Sequence, residues 1–290
     1  MKSSGDPKKL AAASLLDRQR RAKRIRSSEF AALGGRVRIS IDDPDAEHLL
    51  PGVQAIVHQL HSDLTRFDPG SELSRLNSNP GQVVEVSPLM LRFLGEVVEV
   101  ARASGGLVDA TLVDAIERAG YGESRNFRAQ PDPGPIPVGI HRHPAASDPK
   151  ALWAQVKVDP DRGLVADRSD CALTAAASAR DRAMAEMVIP SGHAVATSGI
   201  TRRAWSGPDG QYRHHLIDPG TGLTAFTGVV QATAAAPTAV EAEVLAKAAL
   251  LVGPHAATHW LRCGGVLVLW GGMVVEVAAA AEKPELAGVG

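Results

Sequence analysis

Hydrophobic and polar positions change period several times along the chain, and each change marks an element. Arg36–Ile41 alternates with the period of two that a half-buried strand needs. Over Asp45–Ser62 the period lengthens, and Leu49, Val53, Ile56, Val57 and Leu60 share one helical face. A short helix over Glu72–Leu76 is entered from the Pro69-Gly70 turn, and Val83–Val86 reads as a strand. Ser87 caps a helix from Pro88 to Ser104, with proline at its first position and Gly105-Gly106 as its stop. Leu112–Ala119 is helical too.

Glu123–Lys150 breaks the pattern with six prolines and reads as an extended surface loop. It holds His141-x-His143, a metal-like spacing with no third ligand in view. Val156–Val158 and Leu164–Ala166 form a hairpin, and a helix runs from Thr174 through Asp181 to Val188. Strands then alternate with turns through Ala236, Thr227–Pro237 among them. A helix spans Ala239–Leu251, another starts near His255, and Val266–Trp270 with Met273–Val277 closes a hairpin across Gly271-Gly272. Strands joined by hairpins and interleaved with helices predict an α+β fold with a mostly antiparallel sheet.

Composition sharpens this picture. Hydrophobic residues make up 44% of the 290 and aromatics only 4%, so alanine and valine must fill much of the core. The formal net charge of -1 hides a basic tail: residues 1–28 carry nine Lys or Arg against Asp6 and Asp17. No aromatic residue interleaves those charges, so base stacking lacks a platform and no nucleic acid is expected as partner. The tail is expected to be a solvated extension, followed by one domain over 29–280 and a flexible end over 281–290. No apolar run precedes a small-residue cleavage site, and none reaches transmembrane length. Cys171 and Cys263 lie far apart without metal spacing, which fits free thiols in a reducing cytoplasm.

Candidate chemistry concentrates in Ala196-Thr-Ser-Gly-Ile-Thr-Arg-Arg-Ala-Trp205 and His214-His-Leu-Ile-Asp-Pro-Gly-Thr-Gly222. Arg202 and Arg203 offer forked donors to anionic oxygens. Thr197, Ser198 and Gly199 let a backbone approach a ligand and supply donors. Asp218-Pro219-Gly220 makes a tight turn. The types suit a phosphate-bearing ligand; a polar hairpin between two strands is the plainer alternative.

This joint pattern resembles the signature of the ApbE-type FAD:protein FMN transferases, and four further stretches match that family in order. Phe30-Ala-Ala-Leu-Gly-Gly35 followed by Val37–Ile41 resembles its opening strand. Thr65-Arg-Phe-Asp-Pro-Gly-Ser-Glu-Leu-Ser-Arg-Leu-Asn77 is similar to its SELSRLN block, and Gly105-Gly-Leu-Val-Asp-Ala-Thr111 to its GxFDxT block. Glu241–Gly253 resembles its last long helix. The likeness runs from about Phe30 to about Val275 and implies an ApbE-type α+β fold. It also implies transfer of FMN from FAD to a Ser or Thr hydroxyl of an acceptor protein, with Mg²⁺ and release of AMP.

The resemblance places Leu33, Val108, Asp109, Ala110, Thr111, Asp181, Thr197, Ser198, Gly199 and Arg202 against FAD. Leu33 is equally explained as a core leucine at a strand entry, and Asp109 as the cap of the following helix. His215 aligns with the family's HxxDP histidine and is the candidate for proton handling. Asp218 either orients it or simply forms the turn. At the metal positions, four apart on one helical face, stand Glu243 and Lys247. Lysine cannot ligate; a surface Glu–Lys pair is the alternative reading. Two more departures follow. Asp170–Asp181 has Ala176 and Ala177 where the family has lysine and glycine, with Arg180 on a different face, and only Arg182–Val195 precede the TSG strand. The rival readings are therefore a homologue that binds flavin nucleotide without transfer, and a scaffold for interactions.

Overall fold

The computed structural model describes residues 25–41, 43–125, 127, 132–167 and 192–279, which divide into two compact units at Asp63/Leu64. The basic tail through Arg24, the helix expected over Thr174–Val188 and the C-terminal end lie outside the described residues.

In the first unit β1 (Arg26–Ala32) and β2 (Gly35–Ile41) form an antiparallel hairpin, Arg26 opposite Ile41 and Ala32 opposite Gly35. Only the second strand is legible in sequence, because β1 alternates small and polar residues rather than apolar ones. Leu33 sits half-buried in the hairpin turn at φ 53, not in a core, and its amide donates to His61 Nδ1 at 3.2 Å. The helix expected from Asp45 begins instead as a 3₁₀ segment, Pro44–Leu49, capped by Asp43. It becomes α1 (Leu50–Leu64) only afterwards. Pro51 has no N–H, so a continuous α ladder cannot run through it. The apolar face is also corrected. Leu49, Val53 and Ile56 are 50%, 37% and 56% exposed. The face that meets the hairpin is Gln54, His58 and His61, which contact Ser28, Phe30 and Leu33.

The second unit opens with α2 (Glu72–Asn77), β3 (Val83–Glu85) and α3 (Pro88–Ala103). Ser71 and Ser87 cap the two helices, and the Glu72 carboxylate accepts from both the amide and the hydroxyl of Ser87. That ties one helix start to the other. The helix α4 (Val113–Arg118) follows. Strands β4 (Val156–Asp159) and β5 (Leu164–Asp167) join β3 in a three-stranded antiparallel sheet, order β3-β5-β4.

Next come β6 (Ala194–Gly199), β7 (Ala204–Ser206), β8 (Tyr212–His214), β9 (Ile217–Asp218) and β10 (Leu223–Thr224). The chain continues with β11 (Val229–Ala236), α5 (Ala239–Val252), α6 (Ala257–Trp260), β12 (Gly265–Leu269) and β13 (Val274–Val277). The main sheet is antiparallel, order β13-β12-β11-β6. Ala246, Ala249 and Leu250 of α5 form one core with Val229, Ala232, Ala234 and Leu267 of that sheet. Alanine on both faces lets helix and sheet approach closely, which is how a chain poor in aromatics builds its core. Thr238 and Glu241 make a reciprocal capping box at the start of α5.

The proline-rich segment is more than a surface loop. His143 N donates to Phe226 O, Ala145 N to Leu251 O and Ala146 N to Asp218 Oδ1, at 2.9, 2.8 and 2.9 Å. These bonds stitch its end into the unit. Among the described residues no helix is long and apolar enough to cross a membrane.

Candidate functional site

The TSG run lies on β6. Register sets Thr197 against Thr233 and Ser198 against Ala232. Thr197 is exposed with its hydroxyl 2.9 Å from that of Thr233, and Ser198 is buried. Past Gly199 the chain turns into the β7–β8 ribbon, where Ala204 pairs with His214. His215 then donates its amide to Arg203 O at 3.2 Å, so these two residues face one another at the open end of the ribbon.

Strand alternation sends the two histidines to opposite surroundings. His214 is fully buried and meets the Phe226 ring edge-on at 4.9 Å. Its Nδ1 accepts from Leu216 N, and burial pushes its pKa down to about 3. His215 Nδ1 is buried without a hydrogen-bond partner. Burial holds this imidazole well below the usual histidine range, and the charges of Arg203, His214 and Lys247 add to the effect.

Arg203 is the arginine that meets this histidine. It is 9% exposed, its pKa is lowered by burial, and Tyr121 and Glu243 oppose that shift electrostatically. Arg202, the one favoured from sequence, is half-buried beside it. The missed signal was register: in a two-stranded ribbon, the residue opposite His215 is Arg203. On α5, Lys247 Nζ lies 3.4 Å from Glu243 Oε1, with the lysine side chain 20% exposed. So His215, Arg203, Glu243 and Lys247 converge from separate stretches of sequence. Tyr121 leads away from them into an aromatic cluster with Phe67, Phe127 and Trp205.

Asp218 does not orient His215 through Nδ1. Its Oδ1 accepts from Ala146 N and Gly220 N, and its Oδ2 from Thr221 Oγ1, so the buried carboxylate closes the Asp-Pro-Gly turn. Nor does Asp109 cap α4, whose N-cap is Leu112. Asp109 Oδ1 instead accepts from the amide and hydroxyl of Thr111, at 2.8 and 2.7 Å. Its other oxygen is buried without a partner, and burial raises its pKa, with Asp148 adding to the rise. Val108 packs with Leu107, Ala225, Ala248 and Leu251, so the Val108–Thr111 block and the TSG strand both abut α5. Ala110 is half-buried in the same turn. Leu33 belongs to the first unit, and Asp181, Ala176, Ala177 and Arg180 lie outside the described residues. Among the described residues no group of three or more His, Cys, Asp or Glu is placed to hold a metal.

This antiparallel sheet carrying a long helix, with polar residues gathered at one helix face, defines an α+β protein. The sequence pattern of the ApbE family matches residues 33–188 and 174–270, and the chain belongs to that family. An FAD:protein FMN transferase of Escherichia coli (strain K12) is 34% identical over 89 residues, covering 31% of this chain and 25% of that protein. One from Klebsiella pneumoniae (strain 342) is 35% identical over 89 residues, with the same coverage of each chain. The matched segment thus spans a quarter of these relatives' length. The ApbE protein of Thermotoga maritima has the same fold, with TM-score 0.63 at 18% identity, covering 87% of this chain and 96% of that one. The flavinyl transferase ApbE of Pseudomonas stutzeri gives 0.62 at 17%, covering 87% and 94%.

Proposed function

We propose that the chain moves FMN from FAD to a Ser or Thr hydroxyl of an acceptor protein and releases AMP. The observation that carries this reading is the convergence of His215, Arg203 and the Glu243–Lys247 pair in a chain of the ApbE family. In this reaction the acceptor oxygen bonds to the FMN phosphorus. The bond from that phosphorus to the bridging oxygen breaks, and AMP leaves with the oxygen. The hydroxyl proton goes to a base. His215 suits that role, because its ring is held neutral and Nδ1 is unbonded. A bound diphosphate would offset Arg203 and Lys247 and raise the imidazole toward its ordinary range, improving it as an acceptor when substrate is present.

On this reading Val108, Asp109, Ala110, Thr111, Thr197, Ser198, Gly199 and Arg202 serve the nucleotide, with Leu33 and Asp181 added by the resemblance. Asp109 has specific support, since its second carboxylate oxygen is a buried polar atom without a partner. Mg²⁺ belongs to the same family reading, with Glu243 as its carboxylate. A cytoplasmic location is supported by Cys263, which is a free thiol.

The test is incubation with FAD, Mg²⁺ and an acceptor protein carrying a Ser or Thr flavinylation site. Covalent flavin fluorescence on the acceptor and equimolar AMP are expected. His215→Gln should slow transfer by about 10²–10⁴-fold with FAD affinity little changed. FAD binding without AMP would instead favour a flavin-nucleotide binder, a reading that the occupation of Glu243 by Lys247 supports.

A further inference from the structure

A groove of about 630 Å³ runs between α3 and β4. Its wall on the helix is Leu91, Gly95, Val98 and Arg102, spaced as one face of an α-helix. On the sheet side Val156, Lys157 and Val158 all line it, although neighbouring side chains of a strand point to opposite faces. A groove that touches three consecutive residues follows the edge of the strand rather than one face. That edge is open. β4 is the last strand of its sheet, and among the described residues it pairs with β5 alone. There the amide of Val156 is taken by Trp153 O, and no other backbone bond leaves the outer edge of β4 among the described residues. Gly95 keeps the helix wall low, since nothing lies within 4 Å of where its Cβ would stand.

The two ends of the groove give it a direction. At one, the amide of Val86, just before α3, donates to Gly163 O, just beyond β4. At the other, Trp153 lies against Gly106, where an added Cβ would stand 2.7 Å from the indole Nε1. Gly106 belongs to the Gly105–Thr111 block, so the groove leads to the stretch that carries Asp109. We propose that this groove holds an extended, acidic segment of the acceptor protein, added to the free edge of β4 as a further strand. The inference rests on the FMN-transfer reading above, in which a protein must present a hydroxyl beside the nucleotide. Backbone bonds along β4 supply affinity, and the apolar walls of Leu91, Val98, Val156 and Val158 take alternate side chains of the segment. Charge selects the kind of segment. Arg92, Arg102 and Lys157 line the groove with Glu96 and Glu99. Arg102 and Glu99 already pair with each other. Arg92 and Lys157 then stand against Glu96, which favours an acidic side chain over a basic one.

The experiment follows transfer and binding on the full chain. Gly95→Phe fills the groove at an open helical position, and Arg92→Glu reverses a charge on its wall. At saturating FAD each variant should raise the KM for the acceptor protein by about tenfold or more, with the Kd for FAD unchanged. Thermal unfolding at the wild-type temperature shows that the variants fold, and Arg92→Glu, on an exposed residue, stands should Gly95→Phe not. Two short peptides, valine alternating with aspartate or with lysine, probe the groove by titration calorimetry without FAD. The wild type should prefer the aspartate peptide, Gly95→Phe should lose it, and Arg92→Glu should shift the preference toward lysine. Transfer with the wild-type KM in both variants overturns the inference and keeps the FMN-transfer reading. So does a wild type that transfers flavin but binds the two peptides equally. If the aspartate peptide binds through the groove and no flavin is ever transferred, the transfer reading fails and the groove stands as a peptide site. If neither peptide binds and no flavin is transferred, both fail.

Discussion

His214 and His215 are adjacent and chemically identical, yet one serves the core and the other faces the cationic cluster. The His-His pair is visible in sequence, and the family likeness singles out His215. What sequence could not give is the electrostatics, because Arg203 and Lys247 reach His215 only through the ribbon register and the seat of α5. The core histidine has a consequence for stability. Its pKa is about 3 when folded, against an ordinary value of 6.5. Between those values the unfolded chain binds a proton that the folded chain refuses, so stability is full above the ordinary value and falls as pH drops through that window. The slope from this one residue approaches about 1.4 kcal/mol per pH unit. His214→Asn keeps an acceptor for Leu216 N and removes the titration. Urea unfolding at a series of pH values should show the wild type losing stability faster than the variant on acidification. Parallel profiles would mean that the buried ring takes up its proton without penalty.

At the scale of elements, capped and strongly periodic segments were legible. The Ser87–Pro88 start and the Gly105-Gly106 stop bracket α3 as expected, and the β12–β13 hairpin turns at Gly271-Gly272. Elements were missed where the pattern carries no apolar signal, as in β1, or where a tertiary partner decides. The face of α1 is the clearest case, since periodicity marks Leu49, Val53 and Ile56 while the hairpin meets Gln54, His58 and His61. The anchoring of His143–Ala146 was equally hidden, because it depends on carbonyls and a carboxylate distant in sequence. The close approach of β12 to β11 and to Leu261 also has a testable cost. At Gly265 a Cβ would lie 2.4 Å from Thr233 O and 2.9 Å from a Leu261 methyl group. Gly265→Ala should therefore break the β11–β12 pairing locally and destabilise the protein by roughly 2 kcal/mol or more. Thr238→Ala, which removes the capping box but adds no bulk, should cost about 1 kcal/mol. Denaturant midpoints would rank the two, and a Gly265→Ala protein as stable as Thr238→Ala would mean that the sheet yields there.

Across the whole molecule the fold has outlasted the details of the site. Solved relatives at 17–18% identity share it, whereas Lys247 and Ala176 depart from the family's sequence pattern as the resemblance reads it. A shared fold does not carry its chemistry along, so the departures must be judged together. Lys247 stands by resemblance where the family has a metal ligand. Ala176, outside the described residues, stands by resemblance where the family has a lysine. By the resemblance the two changes are complementary in charge: one cation is gained at Lys247 and one is lost at Ala176. Lys247→Thr alone makes room for Mg²⁺ but lowers the protein's own positive charge. Ala176→Lys alone restores the family's lysine but leaves Lys247 in place. Only the double variant recovers one protein cation and one ion in the family's arrangement, so its effect should exceed the product of the single effects. With FAD, Mg²⁺ and acceptor protein, the initial rate of covalent flavin formation should be highest in Ala176→Lys/Lys247→Thr, and its transfer should cease in EDTA. If either single variant equals the double, or the wild type is fastest of all, the two changes are uncoupled and the native arrangement is itself the working one.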